Sequence, residues 1–399
     1  MNSSKKAIVV GGGPAGLVAA IRLAEGGVAT TLLEAGPNLG GRAASERRGG
    51  FVLNQGPHAL YAGGPAMREL RAMGIELAWW NPTSPSSVFL RDGRPRRSPG
   101  GTLGLTRLLR PILRGRPAEL AGLSTTEWLE RTLPSESARA AAAALVRVTT
   151  FVADQDALSA DVAATQLRLG LSPGVRYLEG GWQSLVDGLA AKAEDSGVGL
   201  RTRAAARLLH GEAGGWTVAL DEETLDADVL VAAAGGPDAV AKLLGDKAPP
   251  APGPAAELSV LDLGLRRLPR RSRRFALGID QPTYLSRHSP PDRREGVLLS
   301  LASYAREPRP ALEALADAAQ PGWREQLSFD RFLPRMVAVS ATPTPGVGGL
   351  AGRPAVDRGE GLYLAGDWIG PEGWLVDGAI ASGAAAAAAA LRRPVAAVA

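Results

Sequence analysis

The sequence predicts an α/β protein in which a parallel sheet flanked by helices is interrupted by a second, mixed α+β domain. Residues 1–35 alternate short apolar runs with a helical pattern around a glycine-rich turn, and similar βα character returns in residues 180–234 and 362–391. Such alternation is typical of parallel sheets, whose neighbouring strands are connected by crossover helices. The stretches between are irregular, and a chain of 399 residues is long enough for two domains.

The N-terminal unit is predicted as strand, turn, helix and strand. A buried strand is expected over Ala7–Val10, followed by a turn over Gly11–Gly16. A helix is expected over Pro14–Ala24, because apolar residues recur there at helical spacing, and Gly26–Gly27 ends it. The second strand is expected over Thr30–Leu33, which completes a βαβ pattern.

Later elements are predicted from turn and cap signals. Asp92-Gly93 after Val88–Arg91 favours a type I′ hairpin, which needs positive φ at both central residues. Ser124-Thr125 before an apolar stretch is typical of a helix N-cap. Further helices are expected at Ser135–Thr149, Gln183–Ala193 and Gly378–Leu391, strands near Leu200, at Val229–Ala233 and at Leu362–Ala365, and a hairpin through Trp216–Leu220.

The composition excludes several classes of site. The chain has no cysteine, which rules out disulfides, thiolate metal ligands, a cysteine nucleophile and a cysteinyl link to a cofactor. No histidines and carboxylates have the spacing of a metal site, so no metal is expected. The net charge of +5 is small for this length, so no nucleic-acid partner is expected. The arginine-rich run 266–274 is interpreted as a solvated edge or turn rather than a phosphate-binding patch.

The chain is expected to be cytoplasmic, with at most peripheral membrane contact. The apolar run after Lys6 has only four residues, too short for a signal peptide, and the alanine-rich Ala384–Leu391 falls short of the roughly 20 residues of a membrane span. Residues 103–120 alternate leucines with arginines, as in segments that lie at a bilayer surface. Pro111 and Pro117 interrupt any long helix there, so a soluble protein is favoured.

The turn Gly11-Gly12-Gly13-Pro14-Ala15-Gly16 has the spacing of a dinucleotide-binding fingerprint. Gly11 permits the tight turn, Gly13 lets the backbone approach a pyrophosphate, and Gly16 lets the helix pack on the sheet. The helix N-terminus then presents free N–H groups to the anion. Glu34 ends the second strand, where its carboxylate can accept hydrogen bonds from the ribose hydroxyls and repel a 2′-phosphate. FAD or NAD is therefore favoured over NADP.

Several blocks that span nearly the whole chain resemble the FAD-dependent amine oxidase and phytoene (carotenoid) desaturase superfamily of flavoproteins. They occur in the order of that family and comprise Gly40-Gly41-Arg42, Asn54–His58, Tyr177–Trp182, Gly361–Asp367 and Asp377–Gly383. The resemblance implies a Rossmann-like, two-dinucleotide-fold FAD domain with an inserted substrate domain. The FAD domain is expected to comprise residues 1–67, 177–255 and 341–399, and the substrate domain residues 68–176 and 256–340.

The resemblance also implies FAD, bound without a covalent link, and assigns its contacts. Arg42 is expected at the pyrophosphate, Asp367 at the ribityl phosphate, and the final helix with its positive N-terminus at the flavin pyrimidine. The whole expected set is Gly11, Gly13, Pro14, Ala15, Gly16, Glu34, Ala35, Gly41, Arg42, Gly56, Pro57, His58, Ala205, Gly366, Asp367, Val376 and Ala379. The candidates for the substrate pocket are Tyr61, Trp374 and Leu375.

Departures from the family pattern narrow the chemistry. The segment after Ala233 has no second complete fingerprint, so the electron acceptor is expected to be oxygen, a quinone or another acceptor. No lysine follows Lys247, and Leu375 stands where amine oxidases of the family carry a tyrosine. Both departures disfavour amine oxidation. The segment Gly366–Trp368 is more similar to that of the desaturases.

The sequence thus predicts an FAD-dependent dehydrogenase or desaturase that takes a hydride from a largely apolar, possibly isoprenoid-like substrate. The alternatives are an amine or protoporphyrinogen-type flavin oxidase and, in another class, a non-catalytic binder similar to prenyl-protein escorts. His58 is the one candidate catalytic residue, as a proton shuttle, and a purely structural role is equally open. His210 and His288 are expected in loops without a chemical role.

Overall fold

The computed structural model describes residues 5–82, 88–96, 109–212, 215–290 and 296–393. Its helices are α1 (Pro14–Glu25), α2 (Pro65–Ala72), α3 (Thr125–Thr132), α4 (Glu136–Thr150), α5 (Ala160–Leu171), α6 (Gln183–Asp195), α7 (Pro237–Leu244), α8 (Arg309–Ala319) and α9 (Val376–Arg392). Its strands are β1 (Lys6–Val10), β2 (Ala29–Leu33), β3 (Ser45–Arg48), β4 (Phe51–Asn54), β5 (Leu60–Tyr61), β6 (Trp79–Trp80), β7 (Val88–Arg91), β8 (Arg94–Arg96), β9 (Val175–Leu178), β10 (Gly199–Arg201), β11 (Leu208–Glu212), β12 (Gly215–Ala219), β13 (Thr224–Ala227), β14 (Val229–Ala232), β15 (Ala256–Leu265), β16 (Phe275–Gly278), β17 (Thr283–Arg287), β18 (Val297–Ser303), β19 (Leu327–Val339) and β20 (Leu362–Leu364).

Five parallel strands in the order β10-β2-β1-β14-β20 form the sheet that carries the glycine-rich turn at its carboxyl edge. The central strand β1 is buried from Ala7 to Val10, and β14 is buried along its whole length. Short, continuous apolar runs suit such strands because both faces of the sheet are covered. The α/β fold class is confirmed.

Helices α1 and α9 pack side by side on this sheet. Their contact is close: a Cβ built at Gly383 would lie 2.3 Å from the carbonyl oxygen of Ala15. Ala386, Ala387 and Ala390 of α9 are buried in the same core. The alanine-rich C-terminal sequence therefore lets two helix backbones approach each other, which fixes both helix N-termini relative to the sheet.

A second sheet of seven strands has the order β19-β15-β18-β17-β16-β7-β8. Its neighbours are antiparallel except for β7 and β16, which run parallel. Helix α8 packs on this sheet, and helices α3, α4 and α5 contact one another in a separate apolar cluster. This mixed architecture matches the type expected for the second domain.

The strands of the two sheets come from different parts of the chain. Those of the parallel sheet lie within residues 6–33, 199–232 and 362–364, and those of the seven-stranded sheet within residues 88–96 and 256–339. This distribution is compatible with the expected discontinuous domains, whose exact boundaries stay a prediction.

A buried ion pair joins the second sheet to the first part of the chain. Arg331 of β19 bonds the carboxylate of Asp262 on β15, with an Nε–Oδ2 distance of 3.0 Å, and also donates to the backbone carbonyl of Asn54. Ser300 donates to the other oxygen of Asp262 at 2.6 Å. Because the guanidinium and carboxylate are satisfied on several sides, the pair fixes the end of β4 against the second sheet.

Turn and cap residues predicted the positions of several elements correctly or to within two residues. Asp92 and Gly93 have φ of 52° and 66°, as a type I′ turn requires. Ser124 forms a capping box with Glu127 at the start of α3. The last helix begins at Val376, two residues earlier than predicted, because the chain turns sharply at Leu375, where φ is 55°.

The arginine-rich and leucine-rich segments behave as parts of the fold. Arg273 donates to the carbonyl of Ala318 at the end of α8, at 3.2 Å, which supports the interpretation of its run as an edge. Of the proposed membrane-facing segment, residues 103–108 lie outside the described part, whereas Leu109 and Ile112 are buried in the protein core. Within the described ranges, no helix is long and apolar enough to cross a membrane, and no three acidic or histidine side chains are grouped as metal ligands.

Candidate cofactor and substrate site

The glycine-rich turn has a different steric reason for each of its three fingerprint glycines. Gly11 has a φ of 114°, and a Cβ there would lie 2.3 Å from the carbonyl oxygen of Ala233. A Cβ at Gly16 would lie 2.0 Å from the carbonyl oxygen of Gly11. At Gly13 the nearest atom is 3.9 Å away, the carbonyl oxygen of Gly40. Gly11 and Gly16 are therefore required by packing, whereas Gly13 faces open space.

That open space adjoins the N-terminus of α1. Helix α1 starts with Pro14 after the N-cap Gly13, and no side chain caps it. The second glycine segment lies against the turn, since Gly40 donates to the carbonyl of Gly12 at 2.8 Å and a Cβ at Gly41 would lie 3.8 Å from Gly13. Uncapped N–H groups, a helix dipole and an absence of side chains make a cradle for a pyrophosphate.

Glu34 is positioned at the end of β2 beside the turn. Its two carboxylate oxygens accept hydrogen bonds from the backbone N–H groups of Gly12 and Gly36, each at 2.7 Å. The backbone of Glu34 in turn accepts from Ala204 at 2.9 Å, which places Ala205 next to it. Ala35, the next residue, is exposed. The expected ribose and adenine positions are thus neighbours in space although they lie far apart in sequence.

Arg42 and Asp367 form an ion pair that brings two of the sequence blocks together. The Nη2–Oδ1 distance is 2.8 Å, and the backbone N–H of Ser340 donates to Asp367 at 3.0 Å. Burial alone would raise the pKa of Asp367, but the adjacent Arg42 guanidinium holds it below its usual value. Arg42 keeps 41% of its side-chain surface exposed, so it can also contact an anion beside the turn. Gly366, just before the aspartate, is bonded to Ser382 of α9.

The segment Gly56-Pro57-His58 follows the buried strand β4. Gly56 has a φ of 82°, and a Cβ there would lie 2.5 Å from Met336 Cε. His58 Nδ1 lies 2.9 Å from the carbonyl oxygen of Gly56, and its ring lies 4.7 Å from that of Trp182. Enclosure by the protein lowers the pKa of His58 to about 4, so the ring is neutral at physiological pH.

The N-terminus of α9 is the second uncapped helix end of this region. Val376 and Ala379 lie in its first turn, and Leu375 precedes them. Asp377 is fully buried and accepts a hydrogen bond from the backbone N–H of Ala66, at the start of α2, at 2.8 Å. Its other oxygen has no partner in the described part of the chain, and burial raises the pKa of Asp377 to about 7.

A cavity of about 370 Å³ opens beside His58. Its lining combines polar and apolar side chains from three regions of the chain, including Arg47, Asn54, His58, Tyr177, Glu179 and His288. Tyr177 and His288 form one wall, with ring centroids 4.4 Å apart and planes only 14° apart. Burial, together with the nearby His58, lowers the pKa of His288 to about 3. Both histidines therefore face the cavity as neutral rings.

Three hydroxyl groups form a series of contacts that ends at the imidazole ring of His288. Tyr177 Oη lies 3.2 Å from Ser286 Oγ, Ser286 donates to Tyr284 Oη at 3.3 Å, and Tyr284 Oη lies 3.3 Å from His288 Nε2. Burial raises the pKa of Tyr177 to about 12, so this hydroxyl stays protonated. The expectation that His210 and His288 lie in loops was wrong for His210, which belongs to β11. His288 lies outside the strands, directly after β17, and contacts this largely buried network.

The three candidates for the substrate pocket lie close to one another but are largely enclosed. Tyr61 is buried and donates to the carbonyl of Thr149 at 2.8 Å. Trp374 is fully buried, with its indole N–H bonded to the carbonyl of Thr150 at 3.0 Å. Leu375 packs at the edge of two apolar clusters. None of the three lines the described cavity, which is lined instead by residues that include Tyr177 and His288. The assignment of Tyr61, Trp374 and Leu375 to the substrate pocket stays a prediction.

These residues fit a flavin dinucleotide. The open cradle at Gly13, the carboxylate of Glu34 beside it and the exposed face of Arg42 suit its diphosphate and ribose, and the uncapped N-terminus of α9 suits an electron-rich ring. Fold and site together define a flavin-dependent oxidoreductase of the two-dinucleotide-fold class.

Comparison with known families gives the same result. Residues 14–265 match the profile of the family described as flavin containing amine oxidoreductase, which is more than half of the chain. The chain belongs to this family, it is an oxidoreductase, and its cofactor is FAD. The family assignment favours an enzyme over the escort alternative. No curated protein sequence matches the chain.

Solved structures share the fold over almost the entire chain. Cyclohexylamine oxidase from Brevibacterium oxydans IH-35A is 17% identical with a TM-score of 0.72, covering 98% of this chain and 99% of the other. Wild-type putrescine oxidase bound to putrescine is 17% identical with a TM-score of 0.75, covering 98% and 100%. An oxidoreductase from Methanosarcina mazei is 18% identical with a TM-score of 0.71, covering 95% and 99%. At these identities the similarity establishes the fold alone.

Proposed function

We propose that this protein is an FAD-dependent dehydrogenase that oxidises a small, uncharged and largely apolar molecule in the cavity between His58 and His288. The observation that carries the proposal is the electrostatic character of this cavity. Its two histidines are neutral, because the pKa values of His58 and His288 are lowered to about 4 and about 3. Its described lining has one carboxylate, Glu179, and one guanidinium, Arg47, and both side chains are exposed.

A cation would lose hydration on entering such a cavity without gaining a buried counter-charge. Removing a charged group from water without pairing costs several kcal/mol, on the order of the affinity of a weak ligand. The desolvation free energy of an uncharged molecule is much smaller. Apolar surface for such a molecule is present on Phe51, Leu298 and the ring of Tyr177. These features support a neutral substrate over an ammonium ion.

The size of the cavity also supports a small substrate. A volume of about 370 Å³ lies near the lower end of the range of roughly 300–1,000 Å³ usual for small-molecule sites. It suits a ring compound or a short isoprenoid segment rather than a whole carotenoid. We therefore retain the expectation of an apolar substrate and narrow it in size.

FAD would supply the chemistry by accepting a hydride from the substrate. The protein residues would position and shield the reactants: the main chain at Gly13 and the carboxylate of Glu34 would hold the dinucleotide, and His58 would border the ring. The N-terminus of α9 would stabilise negative charge on the pyrimidine side. The neutral state of His58 makes it a hydrogen-bond partner rather than a charged group at neutral pH.

Anaerobic reduction of the bound flavin tests the proposal. We would mix the holoenzyme with cyclohexanone, cyclohexanol or cyclohexylamine, which share a ring but differ in charge, and follow the flavin absorbance from pH 6 to pH 10. We expect an uncharged compound to bleach the flavin at a rate that changes little with pH. Bleaching by the amine alone would favour amine oxidation, the activity named for two of the structural relatives, and would contradict the proposal.

A further inference from the structure

The best-supported feature that the proposed function leaves unused is the buried network behind His288. Three hydroxyl groups, from Tyr177, Ser286 and Tyr284, connect in sequence to Nε2 of His288. Buried polar groups that are fully connected fix side chains in one arrangement, because any other arrangement would leave an unpaired group. The network therefore bears on how His288 faces the cavity.

The ring of His288 is held on three sides. Its face stacks on Tyr177 at 4.4 Å, and Nε2 lies 3.3 Å from Tyr284 Oη. Its backbone N–H donates to the carbonyl of Leu298 on β18 at 2.8 Å. Within the described part of the chain, Nδ1 has no hydrogen-bond partner. The ring is thus positioned by the protein, while one nitrogen is left for another molecule.

The order of the hydroxyl groups determines which nitrogen carries the proton. Each hydroxyl has a single proton to donate. Ser286 donates its proton to Tyr284, which leaves Tyr177 Oη and Nε2 of His288 as acceptors within reach of the Tyr284 hydroxyl. The imidazole nitrogen is the more basic of the two, so it receives the proton of Tyr284. A neutral ring that accepts at Nε2 carries its proton on Nδ1. His288 then presents an N–H donor to the cavity.

We propose that His288 recognises a carbonyl or similar oxygen acceptor on the substrate through Nδ1–H, and that Tyr284, Ser286 and Tyr177 are positioning residues that hold it in this tautomer. The inference rests on the proposed function, because it places the substrate in the same cavity. It adds a chemical requirement: the uncharged substrate carries an oxygen acceptor as well as apolar surface. A buried donor discriminates strongly against analogues that leave it unpaired.

Nitrogen-15 NMR of histidine-labelled holoenzyme tests the tautomer without any substrate. The chain has only three histidines, so its imidazole spectrum is simple, and the exposed His210 is identified by the variant His210→Asn. We expect His288 to carry its proton on Nδ1 and the variant Tyr284→Phe to move it to Nε2. A proton on Nε2 of His288 in the unmodified protein would overturn the inference.

Ligand binding tests the recognition itself, with acetophenone and α-methylstyrene as probes of nearly equal shape. Only the ketone has an oxygen acceptor, and it has no β-carbon hydrogen that a desaturation could remove. We expect His288→Phe, which keeps a ring to stack on Tyr177, to weaken acetophenone binding roughly five- to tenfold, as measured by perturbation of the flavin spectrum. The same variant should change α-methylstyrene binding less than about twofold, and His288→Asn should restore part of the ketone affinity.

The outcomes separate the two proposals. Equal ketone affinity in His288→Phe and the unmodified protein would overturn the role of His288, even if a neutral substrate bleaches the flavin. If neither probe perturbs the flavin, the cavity is not beside the ring, and the proposed function fails with the recognition role. The control His210→Asn should leave both affinities unchanged.

Discussion

Residues that we expect to hold the cofactor would act largely through their position and their backbone rather than through unusual side-chain chemistry. Glu34, Arg42 and Asp367 are polar groups at the ends of elements, and Gly13 contributes only its lack of a side chain. The sequence suggests this set because each member belongs to a short local pattern, and their contacts with the cofactor stay a prediction. It did not predict His288, because Tyr177 on β9 and His288 just after β17 are distant in sequence and only tertiary packing brings their rings together.

Replacement of Glu34 tests the ribose assignment. We expect Glu34→Ala to weaken FAD binding by about 1–3 kcal/mol, because the ribose hydroxyls and the N–H groups of Gly12 and Gly36 lose their acceptor. Glu34→Gln keeps one acceptor oxygen and should have a smaller effect. Titration of the apoprotein with FAD gives the dissociation constants. An unchanged constant in Glu34→Ala would show that the ribose lies elsewhere.

The raised pKa of Asp377 predicts that the stability of the folded protein depends on pH. Burial raises its pKa in the folded protein from 3.8 to about 7, so between these values the folded state binds a proton that the unfolded state has lost. The free energy of unfolding should therefore fall as the pH rises from about 4 to about 7, by on the order of 2–4 kcal/mol, and then level off. Chemical denaturation at several pH values measures it.

The variant Asp377→Asn provides the matched control for this titration. Its amide oxygen can still accept from Ala66, but it carries no ionisable proton. The part of the pH dependence that belongs to Asp377 should disappear, leaving the variant relatively more stable at pH 8. If the two proteins lose stability in parallel between pH 4 and pH 7, other groups cause the dependence.

At the scale of elements, periodicity and turn residues predicted the βα units because each is encoded by neighbouring residues. The order of the seven-stranded sheet could not be predicted in this way. Strand β7 lies parallel to β16, which is distant in sequence, and β15 pairs with both β18 and β19. Such pairings depend on the packing of whole faces rather than on local propensity.

Two alanine substitutions separate the structural and ligand-binding roles of the glycine turn. Gly16→Ala would push a methyl group to within 2.0 Å of the carbonyl oxygen of Gly11, so we expect unfolding or a loss of several kcal/mol of stability. Gly13→Ala has free space and an ordinary φ of −79°, so its fold should persist while FAD binding falls. Circular dichroism and flavin content distinguish the two. Full flavin content in Gly13→Ala would place the pyrophosphate elsewhere.

For the whole molecule, the expected cofactor site lies where the parallel sheet, α9 and the second sheet meet. Arg331 and Asp262 fix the end of β4, and Arg42 with Asp367 joins the N-terminal and C-terminal parts of the chain. The motifs that resemble the flavoprotein family lie at the start, middle and end of the chain, and contacts of this kind bring those parts together. Bound FAD should therefore stabilise the entire fold, by an amount that grows with the logarithm of its concentration once this exceeds the dissociation constant.

The flavin should come free when the whole protein unfolds. No cysteine is available for a link, and His58 Nδ1 is already bonded to the carbonyl of Gly56. Heat or acid should release all of the flavin into the supernatant, where its mass identifies it as FAD. Flavin that remained with the denatured chain would indicate a covalent link, with His58 as the residue to examine first.

A crystal structure of the FAD complex tests the central claim most directly, namely that the flavin ring borders the cavity between His58 and His288. We expect the pyrophosphate at Gly13, the ribose hydroxyls on Glu34 and the isoalloxazine ring with one face open to this cavity. A ring separated from the cavity by protein would contradict the account, as would a ribose that makes no contact with Glu34.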